Sequence, residues 1–339
     1  MKTIVSVQEI SEFDLKPSEA VAQWRNLVKD EIAQRWRDRS SWIRINWPTC
    51  EILQEKPAFE RDGFAYVESS TCGSLYASYR PSEDEIWSWY RESNSSKFWR
   101  DELLSISKQS RQEKINEPRS DWIADGIAEY KPSATSLLDI STNGRELINL
   151  VASKNTGLKR IVMAGMTADL EGEATPMIGV EPTKISYLSK HGSVDVIVAI
   201  DILDRVADVS LLISALDETL APGGIAFITS PVSSGFEVQT LWGESTTIQP
   251  PDKLNIPSVR GLQLLFPASK WEILELSTPG MFDVELVRRA IIENPNNSWP
   301  RIVRSLVEET DANGKMALVE LLQSQLMSSF SRLVIKRIK

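Results

Sequence analysis

Ser136-Leu137-Leu138-Asp139-Ile140-Ser141-Thr142-Asn143-Gly144-Arg145 is the stretch on which the reading of this chain turns. A short apolar run ends in an acid, a tight polar turn follows, and Glu146 to Ala152 has a helix-like pattern. That is the outline of a first βα unit in a doubly wound sheet, the place where open α/β sheets seat nucleotide-like ligands. A turn that presses its backbone against a ligand calls for residues without a Cβ. Here Ser141, Asn143 and Arg145 stand where alternate glycines are expected, and only Gly144 is a glycine.

Downstream of this turn, apolar β-like runs alternate with amphipathic helices. The runs are Ser136–Ile140, Lys159–Met163, Thr175–Gly179, Val194–Ile200 and Gly224–Ser230. Such alternation predicts a mostly parallel sheet with crossover helices, an α/β fold. A helix from Val209 to Leu220 is expected to stop at Ala221-Pro222-Gly223-Gly224, where Pro and Gly turn the chain into the next strand. Residues 231–260 read as a polar, proline-marked excursion. A short helix (Ser258–Pro267), a strand (Trp271–Leu276), a helix (Phe282–Ile292) and two closing helices over Trp299–Ile338 follow.

Upstream the chain is built differently. A short β-like run, Thr3–Val7, precedes a helix predicted over Ser18–Arg39, whose Val21, Trp24, Leu27, Val28, Ile32 and Trp36 form one apolar stripe. Phe64–Val67 and Ser74–Tyr79 read as two strands joined by a turn containing Cys72-Gly73. Residues 83–128 read as helical and aromatic. Within them Arg111, Lys114 and Arg119 mix with Glu113 and Glu117, which predicts surface ion pairs ahead of the alternative, an anion-binding patch. Of the eleven tryptophans, eight fall before residue 123, so the N-terminal part is built differently from the rest.

The bulk composition excludes several classes. With 339 residues, 42% hydrophobic and 25% charged, the chain has the make-up of a globular protein. A net charge of −9 argues against a general nucleic-acid or anionic-membrane surface. No apolar run approaches the ~18 residues of a membrane-spanning helix, and Met1–Phe13 lacks the apolar core of a signal peptide, so a cytoplasmic location is expected. Cys50 and Cys72 form no disulfide framework. Neither has a second cysteine at knuckle spacing, so zinc is not expected. The lone histidine, His191, lies before the fourth strand of the alternating region and is read as a surface residue rather than a base.

Taken in order, Leu137-Leu138-Asp139, Val194 through Leu203, Leu220-Ala221-Pro222-Gly223-Gly224 and the strand into Ser230-Pro231 resemble a class I S-adenosylmethionine-dependent methyltransferase. The chain is more narrowly similar to bacterial methyltransferases of nucleotide-sugar and surface-polysaccharide synthesis. Arg80-Pro81-Ser82, Tyr90, Phe98-Trp99, Arg111, Lys114 and Pro118-Arg119 resemble their helical lead-in, and Gly235-Phe236 through Asn255 their extension. The resemblance implies a Rossmann-like methyltransferase sheet with an N-terminal helical and small β-hairpin region and C-terminal helices. It divides the chain into a helix plus degenerate zinc-knuckle-like hairpin (1–82), a helical lead-in or cap (83–132), a methyltransferase-like domain (133–295) and a C-terminal helical tail (296–339). It further implies S-adenosylmethionine as the cofactor, if any, with Asp139, Ser141, Asn143, Gly144, Asp201 and Ile202 around it.

The chain departs from that family at the positions that do chemistry. Glycines are replaced in the first loop, where side chains at Ser141, Asn143 and Arg145 are expected to intrude on the cofactor. The second strand, Arg160–Met166, ends without the acid that grips ribose hydroxyls. Asp169 or Glu171 substitutes only if the loop is displaced, and Glu181 suits the third strand better. After the fourth strand Asp204-Arg205 replaces a usual Glu-His, and Asp252-Lys253 follows Pro250-Pro251 where histidines are usual. Methyl transfer to a hydroxyl, amine or carbon needs a base, which leaves Asp204 and Asp252, with Asp201, as candidates. Three readings follow. The first is a catalytically degenerate pseudoenzyme paired with a homologous active methyltransferase, or a homo-oligomer, with the Trp-rich N-terminal helix as a contact. The second is an active methyltransferase acting on a sugar nucleotide or glycan. The third is a binding module for an anionic ligand held by Arg145, Arg205 and Lys253.

Overall fold

The structure is a computed structural model, and it describes residues 1–5, 15, 17–50, 56–142, 144–171 and 175–338. The central sheet has seven strands: β1 (Ser136–Asp139), β2 (Arg160–Met163), β3 (Ile178–Val180), β4 (Val194–Ala199), β5 (Leu220–Pro231), β6 (Trp271–Ser277) and β7 (Phe330–Arg337). Their order is β6-β7-β5-β4-β1-β2-β3. The five strands from β3 to β5 are parallel, and β7 runs antiparallel to both its neighbours. Strand order reverses at β1, which lies between β2 and β4. A doubly wound sheet opens its ligand crevice at the carboxyl ends of the strands on either side of such a point.

The strands are buried on both faces, which is why they read as continuous apolar runs rather than alternating ones. One face packs against α2 (Glu117–Tyr130) and α3 (Arg145–Lys154), with Trp122, Ile123, Ile127, Leu147, Ile148 and Val151 meeting Leu137, Ile161, Val196 and Phe227. The opposite face packs against α4 (Val209–Thr219), whose N-cap Asp208 accepts from the Ser210 and Leu211 amides. The expected turn at Ala221–Gly224 lies inside β5. Leu220 pairs with Val194 and Ile225 with Val196, so the chain bulges by three residues, with Gly223 at φ +72°.

Two corrections concern the ends. The stretch closing the chain is not helical throughout: after α5 (Asp283–Glu293), a turn over 301–309 and α6 (Ala312–Ser324), residues 330–337 form β7 in the middle of the sheet. Leu333-Val334-Ile335 is an apolar run with two β-branched residues that is fully buried there, so tertiary burial decides for strand. At the other end the helix α1 is Ser18–Arg35, four residues shorter than expected. Its stripe is packed on its own chain rather than left as a contact face: Trp24, Val28, Ile32 and Trp36 are buried, and Trp36 stacks on Trp89 at 5.0 Å.

The small hairpin region is a four-stranded sheet, Phe59–Arg61, Phe64–Glu68, Leu75–Ala77 and, from far along the chain, Asn255–Ile256. Cys50 and Cys72 come together here on Ser69, whose hydroxyl lies 2.8 Å and 3.3 Å from their sulfurs. Among the described residues no group of three or more His, Cys, Asp or Glu is placed to hold a metal ion, and no helix is long and apolar enough to cross a membrane.

Candidate ligand cavity and its sealed neighbour

A cavity of about 570 Å³ opens where the ends of β1 and β4 face a helical run over 94–130. That run carries π-turns at Trp99–Leu103 and Gln112–Asn116. Its floor is the β1 turn. Asp139 is buried beneath it, with one carboxylate oxygen accepting from the Ser141 amide at 3.0 Å and the other without a partner. A Cβ at Gly144 would lie 2.6 Å from that second oxygen, so the one glycine of the turn is required by the acid under it. Burial pushes the Asp139 carboxyl up to about 6.

The substituted side chains do not stand free in the cavity. The Ser141 hydroxyl is turned toward β4 and accepts from the Ile200 amide at 2.9 Å. The Arg145 guanidinium lies back across the turn and donates to the Ala168 carbonyl. The requirement for a bare backbone has moved to the next strand: a Cβ at Gly165 would come within 2.2 Å of the Ser141 carbonyl. Asn143 lies outside the described residues. The expected intrusion of this loop is therefore not what Ser141 and Arg145 do.

An acid does stand further along the loop after β2. Glu171 borders the cavity, accepts from the Arg145 amide at 2.8 Å and from the Thr167 hydroxyl at 3.2 Å. A carboxylate there also faces the positive end of α3. Burial, with the Asp139 charge adding, raises Glu171 to about 7. Asp169 is directed elsewhere, in a two-pronged pair with Arg91 at 2.7 and 2.8 Å. Glu181 follows β3, away from the cavity, and lies 3.6 Å from His191. His191 is buried, not on the surface. Thr183 bonds one ring nitrogen at 2.9 Å, and burial lowers its basicity.

Beyond β4, Asp201 borders the cavity with φ +54°, a strained conformation for a residue with a Cβ. It accepts from the Thr229 hydroxyl at 2.9 Å and from Arg119 at 3.4 Å. Burial works against its charge, but Arg119, Lys253 and Arg205 overcome it and hold the carboxyl well below the usual range. Ile202, the neighbouring candidate, is fully buried in the core and does not border the cavity.

The two candidate bases form a closed charge cluster. Asp204 is fully buried, with one oxygen against both the Lys253 ammonium and Arg205 (3.8 Å) and the other without a partner. Asp252 accepts from the Tyr90 hydroxyl at 2.9 Å and lies 3.6 Å from Arg205. Arg205 also donates to the Asp201 carbonyl. Next to this cluster, between Trp24, Trp89, Tyr90, Trp99 and Thr142, the free space is only about 20 Å³, room for roughly one water. Arg145, Arg205 and Lys253, the cations expected to hold an anionic ligand, are thus all engaged by the protein itself. Glu171, named from the sequence only as a substitute in a displaced loop, borders the cavity together with Arg111 and Arg119, which the sequence placed among surface ion pairs. Their spacing of eight residues was a signal, masked by the acids between them and by the π-turn that shifts the helical phase.

The sequence profile of a family described as "Methyltransferase domain" matches residues 92–276, more than half of the chain. None of the curated proteins compared with the chain matches it. Among solved structures, the chain is similar to the plantazolicin methyltransferase BpumL in complex with SAH and a monoazolic desmethylPZN analogue, at 12% identity over 76% of this chain and 95% of that one, TM-score 0.45. It is similar to the mitomycin 7-O-methyltransferase MmcR at 13% identity, over 74% and 60%, TM-score 0.44. It is also similar to the [4+2]-cyclase SpnF at 14% identity, over 64% and 80%, TM-score 0.38.

Proposed function

The chain belongs to the methyltransferase-domain family, and from that premise we propose that it is a catalytically degenerate methyltransferase-fold subunit, the partner or scaffold of an active methyltransferase in sugar or polysaccharide modification. One observation carries this reading. Asp204 and Asp252 are locked against Lys253, Arg205 and Tyr90, beside a space of about 20 Å³. A base must reach the proton it removes, directly or through one water. Here the carboxylates are paired with neighbours, and the space directly beside Asp252 has room for about one water. The sugar setting is supported by the resemblance of the lead-in and the extension.

The residues of the larger cavity fit S-adenosylmethionine. Its volume is in the range of small-ligand pockets, the Ser141 and Arg145 side chains are tied back, and Glu171 presents an acid at the end of β2 for ribose hydroxyls. Bound there, S-adenosylmethionine supplies an electrophilic methyl group on a sulfonium. Glu171 would hold the nucleoside and Asp201 would face the sulfonium side with its charge. This fit favours a second reading, an active S-adenosylmethionine-dependent methyltransferase with an altered loop.

Labelled methyl transfer separates the two. The purified chain is incubated with S-adenosylmethionine and a panel of sugar nucleotides and glycans, alone and with a homologous active methyltransferase. The degenerate reading expects no transfer by the chain alone, and co-elution with the partner. Transfer by the chain alone that is abolished by Asp204→Asn or Asp252→Asn would overturn it.

A further inference from the structure

The roof of the large cavity carries a guanidinium that no described residue engages. Arg111 borders the cavity, and among the described residues its side chain makes no hydrogen bond and no ion pair. Its surroundings do not explain it as a surface charge. Burial, and after it the neighbouring Arg119, pull it down to about 10, and the smaller effects of Asp201 and Glu146 do not offset them. Even so it stays protonated at neutral pH, and a charged group kept half-buried beside like charges is expensive unless something pairs with it. Glu146 does not supply that pair, since Lys108 at 3.4 Å and Asn116 at 3.3 Å engage its two oxygens.

Arg119, eight residues on, borders the same cavity. Its one carboxylate contact, Asp201, is long at 3.4 Å and is shared with Lys253 and Arg205. The rest of the cation supply is spoken for: Arg205 by Asp204 and Asp252, Arg145 by the Ala168 carbonyl, and Arg100 by the Tyr90 carbonyl. Arg111 and Arg119 therefore make a two-guanidinium roof over a ligand-sized space with charge in excess.

We propose that Arg111 and Arg119 form an oxyanion clamp in the roof of this cavity, and that the cavity's ligand carries a carboxylate or a phosphate seated against them. Guanidinium forks match both groups, with two parallel N–H donors to two oxygens. The proposal rests on the cavity being a ligand site and is independent of whether the chain transfers methyl groups. It assigns to the cavity a ligand whose nucleoside end meets Glu171 and whose anionic end meets the roof.

The test is calorimetric titration of the full chain with three probes: inorganic pyrophosphate, S-adenosylhomocysteine, and 5′-methylthioadenosine, which keeps the nucleoside and thioether but lacks the carboxylate. Arg111→Gln is expected to weaken the oxyanion-bearing probe by about tenfold or more, the scale of a charge-assisted hydrogen bond, and to leave 5′-methylthioadenosine unchanged. Arg111→Lys recovers part of the loss, and added salt weakens the wild type more than Arg111→Gln. A loss on pyrophosphate identifies a phosphate ligand; a loss on S-adenosylhomocysteine alone identifies a carboxylate. Because Arg111 has no side-chain partner among the described residues, Arg111→Gln should melt at or above the wild-type temperature. Should it not fold, Arg119→Gln is read in its place. Equal binding of all probes to wild type and variant, or no binding of either oxyanion probe to the wild type, overturns the clamp. Methyl transfer measured on the same samples reports on the catalytic reading alone, so the two fail separately.

Discussion

Glu171 is the residue on which pH should act most visibly. Its carboxyl sits at about 7 in the fold against 4.5 for the ordinary side chain, raised by burial and by Asp139. A group whose folded value is raised binds more protons folded than unfolded between those values, so stability falls as pH rises through that window. The contribution is fully present below 4.5 and is lost by the time pH passes 7. At about 1.4 kcal/mol per unit the span is at most about 3.5 kcal/mol, lessened by water at the cavity mouth. Urea midpoints measured from pH 4.5 to 8 should decline for the wild type, and Glu171→Gln should flatten the upper part of that decline. Asp139, raised to about 6, pulls in the same direction and leaves a shallower slope at lower pH. Parallel curves for the two proteins would show that Glu171 is not the titrating group. Lys253 gives a second, sharper case. Removing it by Lys253→Met leaves the fully buried Asp204 with only the 3.8 Å contact to Arg205. Loss of one member of a buried pair costs about 3–5 kcal/mol, whereas the double change Asp204→Leu/Lys253→Met should cost distinctly less. A double variant no more stable than Lys253→Met would contradict this. At this scale the sequence was least legible. Asp204, Asp252, Arg205 and Lys253 were visible as residues, but that they neutralise one another across 49 positions of chain is a property of the fold. Glu171 was named only as a displaced substitute, because nothing in the local pattern shows which way a loop turns.

The elements were read well where burial and local preference agree, and missed where they conflict. β1, β2 and β4 carry apolar runs that only a strand buried on both faces explains, and they appear within a residue or two of expectation. β7 was taken for helix because its flanks are polar and its run is short. Its place between β5 and β6 is fixed by partners far earlier in the chain. β6 shows what such pairing does to a single side chain. Its register against β7 slips between Ile273 and Glu275. Glu275, only 3% exposed, accepts from the Trp122 indole at 2.9 Å and the Tyr130 hydroxyl at 2.7 Å, both on α2. The slip thus joins the antiparallel edge of the sheet to the helix that leads into the cavity roof. Glu275→Leu removes the acceptor and strands the buried Trp122 donor and the half-buried Tyr130 donor, a loss of about 2 kcal/mol. Denaturation followed by tryptophan fluorescence measures it. A change under about 0.5 kcal/mol, the scale of an ordinary surface substitution, would show that the two donors find other partners.

The hydrophobic core of the molecule crosses the point where its sequence changes character. The shift in composition near residue 133 marks a change of architecture, from helix and hairpin to a doubly wound sheet, and we propose that it is not a boundary between folding units. One hydrophobic core runs from Trp24, Ile32 and Trp36 through Phe64, Tyr66 and Leu75 to Leu212, Leu216 and Leu262. Asn255–Ile256, from the extension after β5, completes the small N-terminal sheet. Arg80, with no exposed surface, donates to Asn255 at 2.6 Å and to the Ala207 and Leu254 carbonyls at 3.2 Å, which pins that sheet to the turn after β4. The span 133–295, which by pattern alone looks like a domain, therefore lacks both α2, which covers one face of the sheet with Trp122, Ile123 and Ile127, and β7, which separates β5 from β6. Without β7 those two strands lose their only antiparallel neighbour, and β5 becomes a bare edge of buried residues. The isolated segment 133–295 should consequently show no cooperative melting and no dispersed amide spectrum, while the full chain melts in a single transition by calorimetry and by tryptophan fluorescence. Cooperative unfolding of the isolated segment, or two separated transitions in the full chain, would mean that the continuous core does not couple the parts. A single transition would carry a functional consequence, since the cavity roof over 94–130 and its floor on β1 and β4 would then be held at fixed separation by the same core.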